Sequence, residues 1–512
     1  MVDIVLATLN ARWIHAAFGL RYLRANLGDL RERSTLIEGE IQQRPIDFVE
    51  RILAHEPKIV GLSVYVWNAT AMLAVVRILR DVAPTVRIVL GGPEVSHETD
   101  QQAICTLAHH VVRGEGEIAF RDLCRRILDG DTDSPWLIAP SPPPIDSLAL
   151  PYEEYDDRDV AHRVVYVEAS RGCPFECEFC LSSLDERVRN FPLDTFLDAM
   201  ARLLDRGLDH FKFVDRTFNL GVATSTRILR FFRERWRDGM LLHFEMIPDR
   251  LPDALRAEIA AFPPGALQFE VGIQSFDPAV GERIRRRQDF ARLEDNFRFL
   301  RESTGVHVHA DLIVGLPGED LTSFGEGFDR LIALRPQEIQ VGILKRLRGT
   351  TLDRHSPEWG TVYATEPPYE ILQSRTLSFT ELQRMRRFAR FFDLVHNSGN
   401  FGATAELLLR ADSPFARFLH FSDWLFDQTG AAHGIARARL AVLLFRYLTA
   451  ELRLAESAVG TAMARDFLHA RPNDWPEFLR PWLREQASRL TPDDNPAARR
   501  QQKHLIARQT ED

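Results

Sequence analysis

The chain has 512 residues, 45% hydrophobic and 27% charged, which is enough for about three domains with real cores. Its net charge of −9 argues against a polyanion as the default partner, because nucleic-acid binding rests on neutralised phosphates. No apolar run reaches the ~18 residues of a membrane span, the start MVDIVLATLN lacks a basic leader, and five cysteines make no disulfide framework, so a reducing cytoplasm is expected.

Residues 1–128 alternate short apolar strands with amphipathic helices. Strands are expected at 3–9, 35–38, 59–63, 87–90 and 110–113, and helices at 18–27, 47–55, 69–82, 100–108 and 118–128. Five β/α units in a row specify a doubly wound five-stranded parallel sheet, which binds ligands outside the carboxyl ends of its strands. The loops there are 10–17, 64–68, GGPEVS at 91–96 and GEGE at 114–117. Gly91 and Gly92 let backbone pass close to a ligand, since no Cβ intrudes, and Ser63 presents a hydroxyl at a strand end. Cys105 and Cys124 fall in helical stretches and read as small buried hydrophobes. Residues 129–160 are rich in Pro, Asp and Ser, so the first domain is placed at 1–140 and an extended linker at 141–160.

From 164 the alternation resumes, with strands expected at 164–168, 210–214, 242–246, 267–273, 306–313 and 338–344. Helices are expected between them at 193–205, 224–236, 253–261, 293–302 and 323–334. Six units are too few for a closed eight-stranded barrel, yet functional residues should still come from the carboxyl ends of the strands. Directly after the first strand stands SRGCPFECEFC, with Cys173, Cys177 and Cys180 spaced C-x3-C-x2-C. Three thiolates from one loop leave one iron of a [4Fe–4S] cubane without a protein ligand, which makes a catalytic site rather than an electron wire. The competing readings are a zinc site completed by a histidine, or three buried thiols. Zinc sites usually pair their cysteines as knuckles in two separate loops, and no second knuckle exists here. After 350 the apolar spacing turns helical, so 351–512 reads as an all-helical domain with solvated or partner-facing Arg-rich faces and a frayed tail from 491.

The cysteine segment, down to Phe179 before the last cysteine, resembles the signature of the radical S-adenosylmethionine (SAM) superfamily. The resemblance implies a partial (β/α)6 barrel at 161–350, a [4Fe–4S] cluster and SAM chelated at the open iron. The barrel is most similar to the branch that holds the coproporphyrinogen dehydrogenases and the cobalamin-binding members. That likeness assigns the SAM ammonium to Glu245 in HFEMIP and the ribose to Gln274 in EVGIQSF and Asp311 in HADLIVGLPGED. It assigns the SAM carboxylate to Arg286 in IRRRQD, with Arg285 and Arg287 as alternatives, and exposed backbone to the turn from Gly315 to Gly318. The chemistry is complementary, because an ammonium, a carboxylate and a diol call for an acid, a guanidinium and polar acceptors. Arg216 and Asn219 in FVDRTFN either face the same site or form a loop hydrogen-bonding network.

The LGGPEVS and RGEGE turns resemble those of cobalamin-dependent radical SAM proteins. The contacts this implies are Asn10, Ser63, Tyr65, Trp67, Gly91, Gly92, Pro93, Glu94, Gly114, Glu115 and Gly116. A methylthiotransferase-type domain would need three further cluster cysteines, and only Cys105 and Cys124 remain. The histidine-ligating D-x-H-x-x-G pattern is absent. His15 occupies the corresponding loop without that context, so cobalamin is expected base-off with Trp13, Tyr65 or Trp67 over the open face. The whole chain is similar to an uncharacterised group of B12-binding radical SAM proteins with a helical C-terminal domain of unknown function. This implies reductive cleavage of SAM to a 5′-deoxyadenosyl radical and methylation of an unactivated carbon in a small-molecule substrate, with flavodoxin or ferredoxin as electron donor. The alternatives are a B12-dependent radical cyclisation, rearrangement or oxidation, and a non-catalytic cobalamin or redox sensor. A sensor has no need of a carboxylate-binding arginine.

Overall fold

A computed structural model of the chain describes residues 2–470 and 475–486, so the tail expected to fray lies outside the described residues. The chain divides into two compact units. The first comprises Met1–Arg216, Lys345–Asp353 and Ala364–Glu370, and the second comprises the remainder.

The first unit is built on a parallel sheet of order β2-β1-β3-β4-β5-β6. Its strands are β1 (Ile4–Asn10), β2 (Ser34–Glu40), β3 (Ile59–Ser63), β4 (Arg87–Gly91), β5 (His110–Val112) and β6 (Leu137–Ile138). They alternate with α1 (Phe18–Ala25), α2 (Pro45–Leu53), α3 (Ala69–Val82), α4 (Ala103–Leu107) and α5 (Glu117–Leu128). Every residue of β1 and β3 is buried, as a parallel sheet covered on both faces requires. Val5, Ala7 and Leu9 pack in the core with Val75, Val76 and Leu79 of α3, while Ile4 and Leu6 pack with Leu20 of α1 and Phe120 of α5. The strand order reverses between β1 and β3, which opens a ligand crevice above them.

The Pro-, Asp- and Ser-rich stretch from 129 to 160, which includes the expected linker, contains packed structure. Leu137 and Ile138 add a sixth strand beside Val111 and Val112. Tyr152 and Tyr155 are buried, and the Tyr152 hydroxyl donates to the Glu168 carbonyl at 3.2 Å. Proline fixes φ and removes a donor without preventing burial, and the aromatic rings between these prolines supply apolar area to bury. In α6 (Asp157–His162) Asp159 joins Glu38 around the buried Arg21, at 2.5 and 2.9 Å. Arg21 and Arg163 together hold the Glu38 carboxyl down to about 2, against the burial that would raise it.

The unit continues through β7 (Val165–Val167), β8 (Ser170–Arg171), β9 (Arg189–Asn190), α7 (Leu193–Asp205) and β10 (His210–Phe213). β10 lies parallel to β7. The returning segments dock by charge: Arg346 and Arg348 each donate to Glu98 at 2.7 Å, and Arg348 and the Tyr369 hydroxyl reach Glu94 at 3.0 and 2.6 Å.

The second unit alternates α8 (Val222–Glu234), β11 (Leu241–Met246), α9 (Asp253–Ala260), β12 (Leu267–Gln274), α10 (Pro278–Arg283), α11 (Phe290–Ser303), β13 (His307–Val314), α12 (Leu321–Ala333) and β14 (Glu338–Ile343). β11 to β14 pair in parallel and in chain order. All six strands expected after 160 are present, counting β7 and β10. The short α10 escapes the periodicity; its signals are the Asp277 cap and Pro278 in the first turn.

The region beyond 351 is not wholly helical. After α13 (Ser356–Trp359), β15 (Val362–Tyr363) pairs antiparallel with β16 (Ile371–Gln373). Then follow α14 (Phe379–Phe392), α15 (Gly402–Leu409), α16 (Pro414–Thr429), α17 (Arg437–Arg446), α18 (Glu456–Ala470) and α19 (Arg480–Gln486). Phe328 of α12 packs edge-on against Phe388 and Phe392 of α14, both at 5.2 Å, which joins the helices to the β/α layer. The buried Asp466 of α18 caps α15 from outside, accepting from the Ala403 and Thr404 amides at 2.9 Å.

Glu319, in the turn after β13, is 2% exposed and accepts from the Ser275 hydroxyl at 2.5 Å. Burial pushes its carboxyl from the ordinary 4.5 up to about 8. The folded state therefore holds a proton that the unfolded chain releases above about pH 4.5. The stability this contributes is complete below that pH and is lost as the pH rises through about 8. Glu319→Gln should flatten the dependence, and thermal melts should show the variant gaining on the native protein from pH 5 to pH 9.

Candidate functional site

The cluster loop belongs to the first unit and is closed at its base by β8 and β9, where Ser170 pairs with Asn190 and Arg171 with Arg189. The buried Asp215 fixes its entry, accepting from the Ala169 amide at 3.0 Å and the Ser170 hydroxyl at 2.6 Å. Gly172 takes φ +91°, and a Cβ there would lie 2.2 Å from the Arg187 carbonyl, so only glycine lets the loop fold back so closely. The Cys173 amide then donates to the Asp185 carbonyl at 2.8 Å, and the Cys180 amide to that of Cys177 at 3.1 Å. Cys173 and Cys177 are buried, while Phe179 and Cys180 are partly exposed.

Among the described residues no three His, Cys, Asp or Glu side chains close on one point as a cage for a single ion. A cubane needs a wider set, because each cysteine binds a different iron. Three thiols on one pinned loop fit that demand. Cys105 and Cys124 lie wholly buried in α4 and α5, where burial pushes the Cys105 thiol up to about 12 and raises that of Cys124 further. They are packing residues.

A cavity of about 440 Å3 lies at the carboxyl ends of the first unit's strands. It gathers Ser63, Tyr65, Gly91, Gly92, Pro93, Gly114, Glu115 and Gly116, and below them the apolar Leu20, Gly61 and Phe120. Its wall also includes Glu168, Arg171 and Leu181 from the strand and loop that carry the cysteines. A lining that combines glycine turns with apolar side chains fits a large cofactor with an apolar part. Gly92 has a structural reason of its own: at φ +105° its Cβ would strike the Val64 carbonyl at 2.5 Å. At Gly91 a Cβ would meet only the Val112 carbonyl, at 3.6 Å.

Three expected contacts are not brought to the cavity. Asn10 donates to Glu38 at 2.9 Å. Trp67 is half exposed and stacks on Tyr65 at 4.3 Å. Glu94 is taken up by Arg348 and Tyr369. His15 also lies outside the cavity lining, its Nδ1 2.7 Å from the Tyr166 hydroxyl, and burial together with nearby cations lowers its pKa. Trp13 lies over the guanidinium groups of Arg158 and Arg163 instead.

The expected SAM residues of the second unit share one face of its sheet. Glu245 pairs in register with Glu270, and Asp311 with Gly272; a bulge between Gly272 and Gln274 sets Gln274 opposite Leu312, yet its side chain turns back over Gly272. Because side chains alternate, this face is polar, while Phe269, Val271, Ile273, Val308, Ala310 and Leu312 are buried on the other. Gln274 is 9% exposed, at φ +73°, and its buried Oε1 has no hydrogen-bond partner among the described residues. Arg286 reaches back to donate to the Gly272 carbonyl, whereas Arg285 and Arg287 are exposed. Gly315 opens its turn at φ +96° with Ile371 against it. Asn219 takes the alternative role, clasping Ile247 by its amide at 2.8 Å and its carbonyl at 2.9 Å.

Sequence reasoning passed over several neighbours on this face. His243 lies 3.0 Å from Glu270, His307 3.1 Å from Glu338 and His309 3.4 Å from Asp311. The signal was the period-two polarity of QFEVGIQ and HVHAD, which marks a sheet face that is not a hydrophobic core.

Three family profiles match in order: B12 binding domain over residues 4–124, Radical SAM superfamily over 167–331 and a protein family of unknown function, DUF4080, over 357–507. An uncharacterized methyltransferase of Pyrococcus horikoshii is 25% identical over 59% of this chain and 70% of its own length. The cobalamin-dependent radical SAM methyltransferase TokK of Streptomyces tokunonensis is 25% identical over 54% of this chain, which spans only 45% of TokK. The structure of TsrM from Kitasatospora setae, with cobalamin and a [4Fe–4S] cluster bound, superposes over the full length of both chains with a TM-score of 0.59 at 17% identity. At that identity the likeness concerns the fold, which is α/β with parallel sheets and a helical C-terminal region. The chain thus carries, in this order, a segment matching the B12 binding domain, one matching the Radical SAM superfamily and one matching a domain of unknown function.

Proposed function

We propose that this protein is a cobalamin-dependent radical SAM enzyme that methylates an unactivated carbon of a small-molecule substrate. The observation that carries the reading is the cavity of the first unit, which is walled both by the two glycine turns of the B12-matched segment and by residues flanking the cysteines. When bound, the cluster supplies the electron that splits SAM to a 5′-deoxyadenosyl radical, and cobalamin carries the methyl group.

The chain's own residues bind and orient. Cys173, Cys177 and Cys180 hold three irons beside Phe179. Glu245 takes the SAM ammonium, Arg286 its carboxylate, Gln274 and Asp311 its ribose, and the Gly315 turn its adenine. Gly91, Gly92, Pro93, Gly114, Glu115 and Gly116 cradle cobalamin, Ser63 hydrogen-bonds its tail, and Tyr65, backed by Trp67, covers its face. His15 stays with Tyr166 and would not hold the cobalt. The working segments are the cobalamin domain at 1–140 and the barrel at 161–350, with the helical region after 351 shaping substrate choice. A flavodoxin or ferredoxin supplies the electron in a reducing cytoplasm. All five cysteines are free, and among the described residues no helix is long and apolar enough to cross a membrane.

The anaerobically reconstituted protein with hydroxocobalamin, SAM and a reductant should release 5′-deoxyadenosine. Metabolite profiles of a deletion strain should then lack a product one methyl addition heavier than an accumulating precursor. No SAM cleavage under any reductant would refute the proposal.

Cys173→Ala, Cys177→Ala and Cys180→Ala should each abolish the cluster, read as iron content and absorbance, while Cys105→Ala and Cys124→Ala should keep four irons. Glu245→Ala and Arg286→Ala should keep the cluster and weaken SAM binding about ten- to a hundredfold, the worth of one hydrogen bond to a charged group. Equilibrium dialysis with labelled SAM measures this, and native affinity in both variants would remove these two residues from the site.

A further inference from the structure

One wall of the first unit's cavity carries a group with no role so far. Glu117, the first residue of α5, lines the cavity and is 5% exposed. Its Oε1 lies 2.8 Å from Arg171 Nη1. Its Oε2 is buried with no hydrogen-bond partner among the described residues. The neighbouring groups do not turn to it. Arg171 gives Nε to Glu168 and shares Nη1 with Glu115, both at 2.8 Å, and its guanidinium lies over the Tyr22 ring at 4.5 Å. Both oxygens of Glu115 are occupied by Arg171 and Arg189. Buried polar oxygens are nearly always satisfied, so this one, on a residue of the cavity wall, is set to meet a donor on whatever fills the cavity.

We infer that Glu117 is a cofactor-binding residue whose Oε2 accepts a hydrogen bond from a primary carboxamide of the bound ligand. The inference rests on the reading that the cavity takes cobalamin, whose corrin rim bears several such amides. Arg171 gives the contact a second consequence. It directly precedes Gly172 and Cys173, so the carboxylate that grips the cofactor also grips the strand that launches the cluster loop.

Hydroxocobalamin titrated into the full-length, cluster-reconstituted protein, followed by visible absorbance, provides the test. Glu117→Gln should weaken binding roughly tenfold or more while the iron content stays native. A second measurement uses the unaltered protein and the cobalamin monocarboxylic acids, in each of which one carboxamide is replaced by a carboxylate that cannot donate. One isomer should bind far more weakly than the rest, and Glu117→Gln, which can donate, should restore it. If the variant fails to fold, the isomer series decides alone. Native affinity in Glu117→Gln, or equal binding of every isomer, overturns the inference and leaves the proposed function standing. No uptake of hydroxocobalamin by the unaltered protein overturns both.

Discussion

One guanidinium holds the first unit's chemistry together. Arg171 is nearly buried and is shared by Glu115, Glu117 and Glu168, each at 2.8 Å. Ion pairs in such places are not a large source of stability, because desolvation offsets most of the Coulomb gain. Their force lies in what removal would do: three carboxylates would face one another in a site with little water. Burial already pushes the Glu168 carboxyl upward, and Arg171 is the main group acting against that. The arginine thus fixes in one place the turn that follows β5, the strand that precedes the cysteines and the start of α5.

Specificity in this arrangement follows from geometry rather than strength. A guanidinium offers donors in a planar fork, so the three acceptors can be satisfied only with the Gly114 turn and the cluster strand in one mutual position. Arg189 repeats the theme across the two-residue ladder, pairing with Glu115 and Asp185. The loop that presents the thiols is therefore anchored at both ends by charge, in addition to the close approach that Gly172 permits. The second unit follows a different principle. Its sheet presents carboxylates, imidazoles and amides in register on one face, which excludes that face from the hydrophobic core and leaves it suited to polar ligands.

Much of this was legible in the residues. The alternation of β/α units follows from apolar runs and helical spacing, and α3 and α7 lie where the periodicity puts them, at Ala69–Val82 and Leu193–Asp205. The cysteine loop could be singled out because its pattern is local, three thiols within eight residues. Polarity at every second residue of β12 and β13 was likewise available. The proline-rich stretch misled, since composition reports what the backbone cannot do and says nothing of where Tyr152 and Tyr155 find a partner. Glu94 misled for a related reason: its neighbours in sequence are cavity residues, but Arg348 and Tyr369, more than 250 residues away, claim its side chain.

The sequence by itself therefore determined the order of the β/α units, the closely spaced cysteine loop and the parity that puts Glu245 and Asp311 on one face. Each depends on spacing along the chain, and the periods of helix and strand convert spacing directly into direction. Only the tertiary structure decided which of three adjacent arginines turns inward, that the supposed linker buries Tyr152 and Tyr155, that His15 belongs to Tyr166, and that Glu117, at the cavity, has one oxygen without a partner among the described residues. Those outcomes turn on which distant group arrives first at a buried donor or acceptor, and a buried polar atom is satisfied by proximity in space.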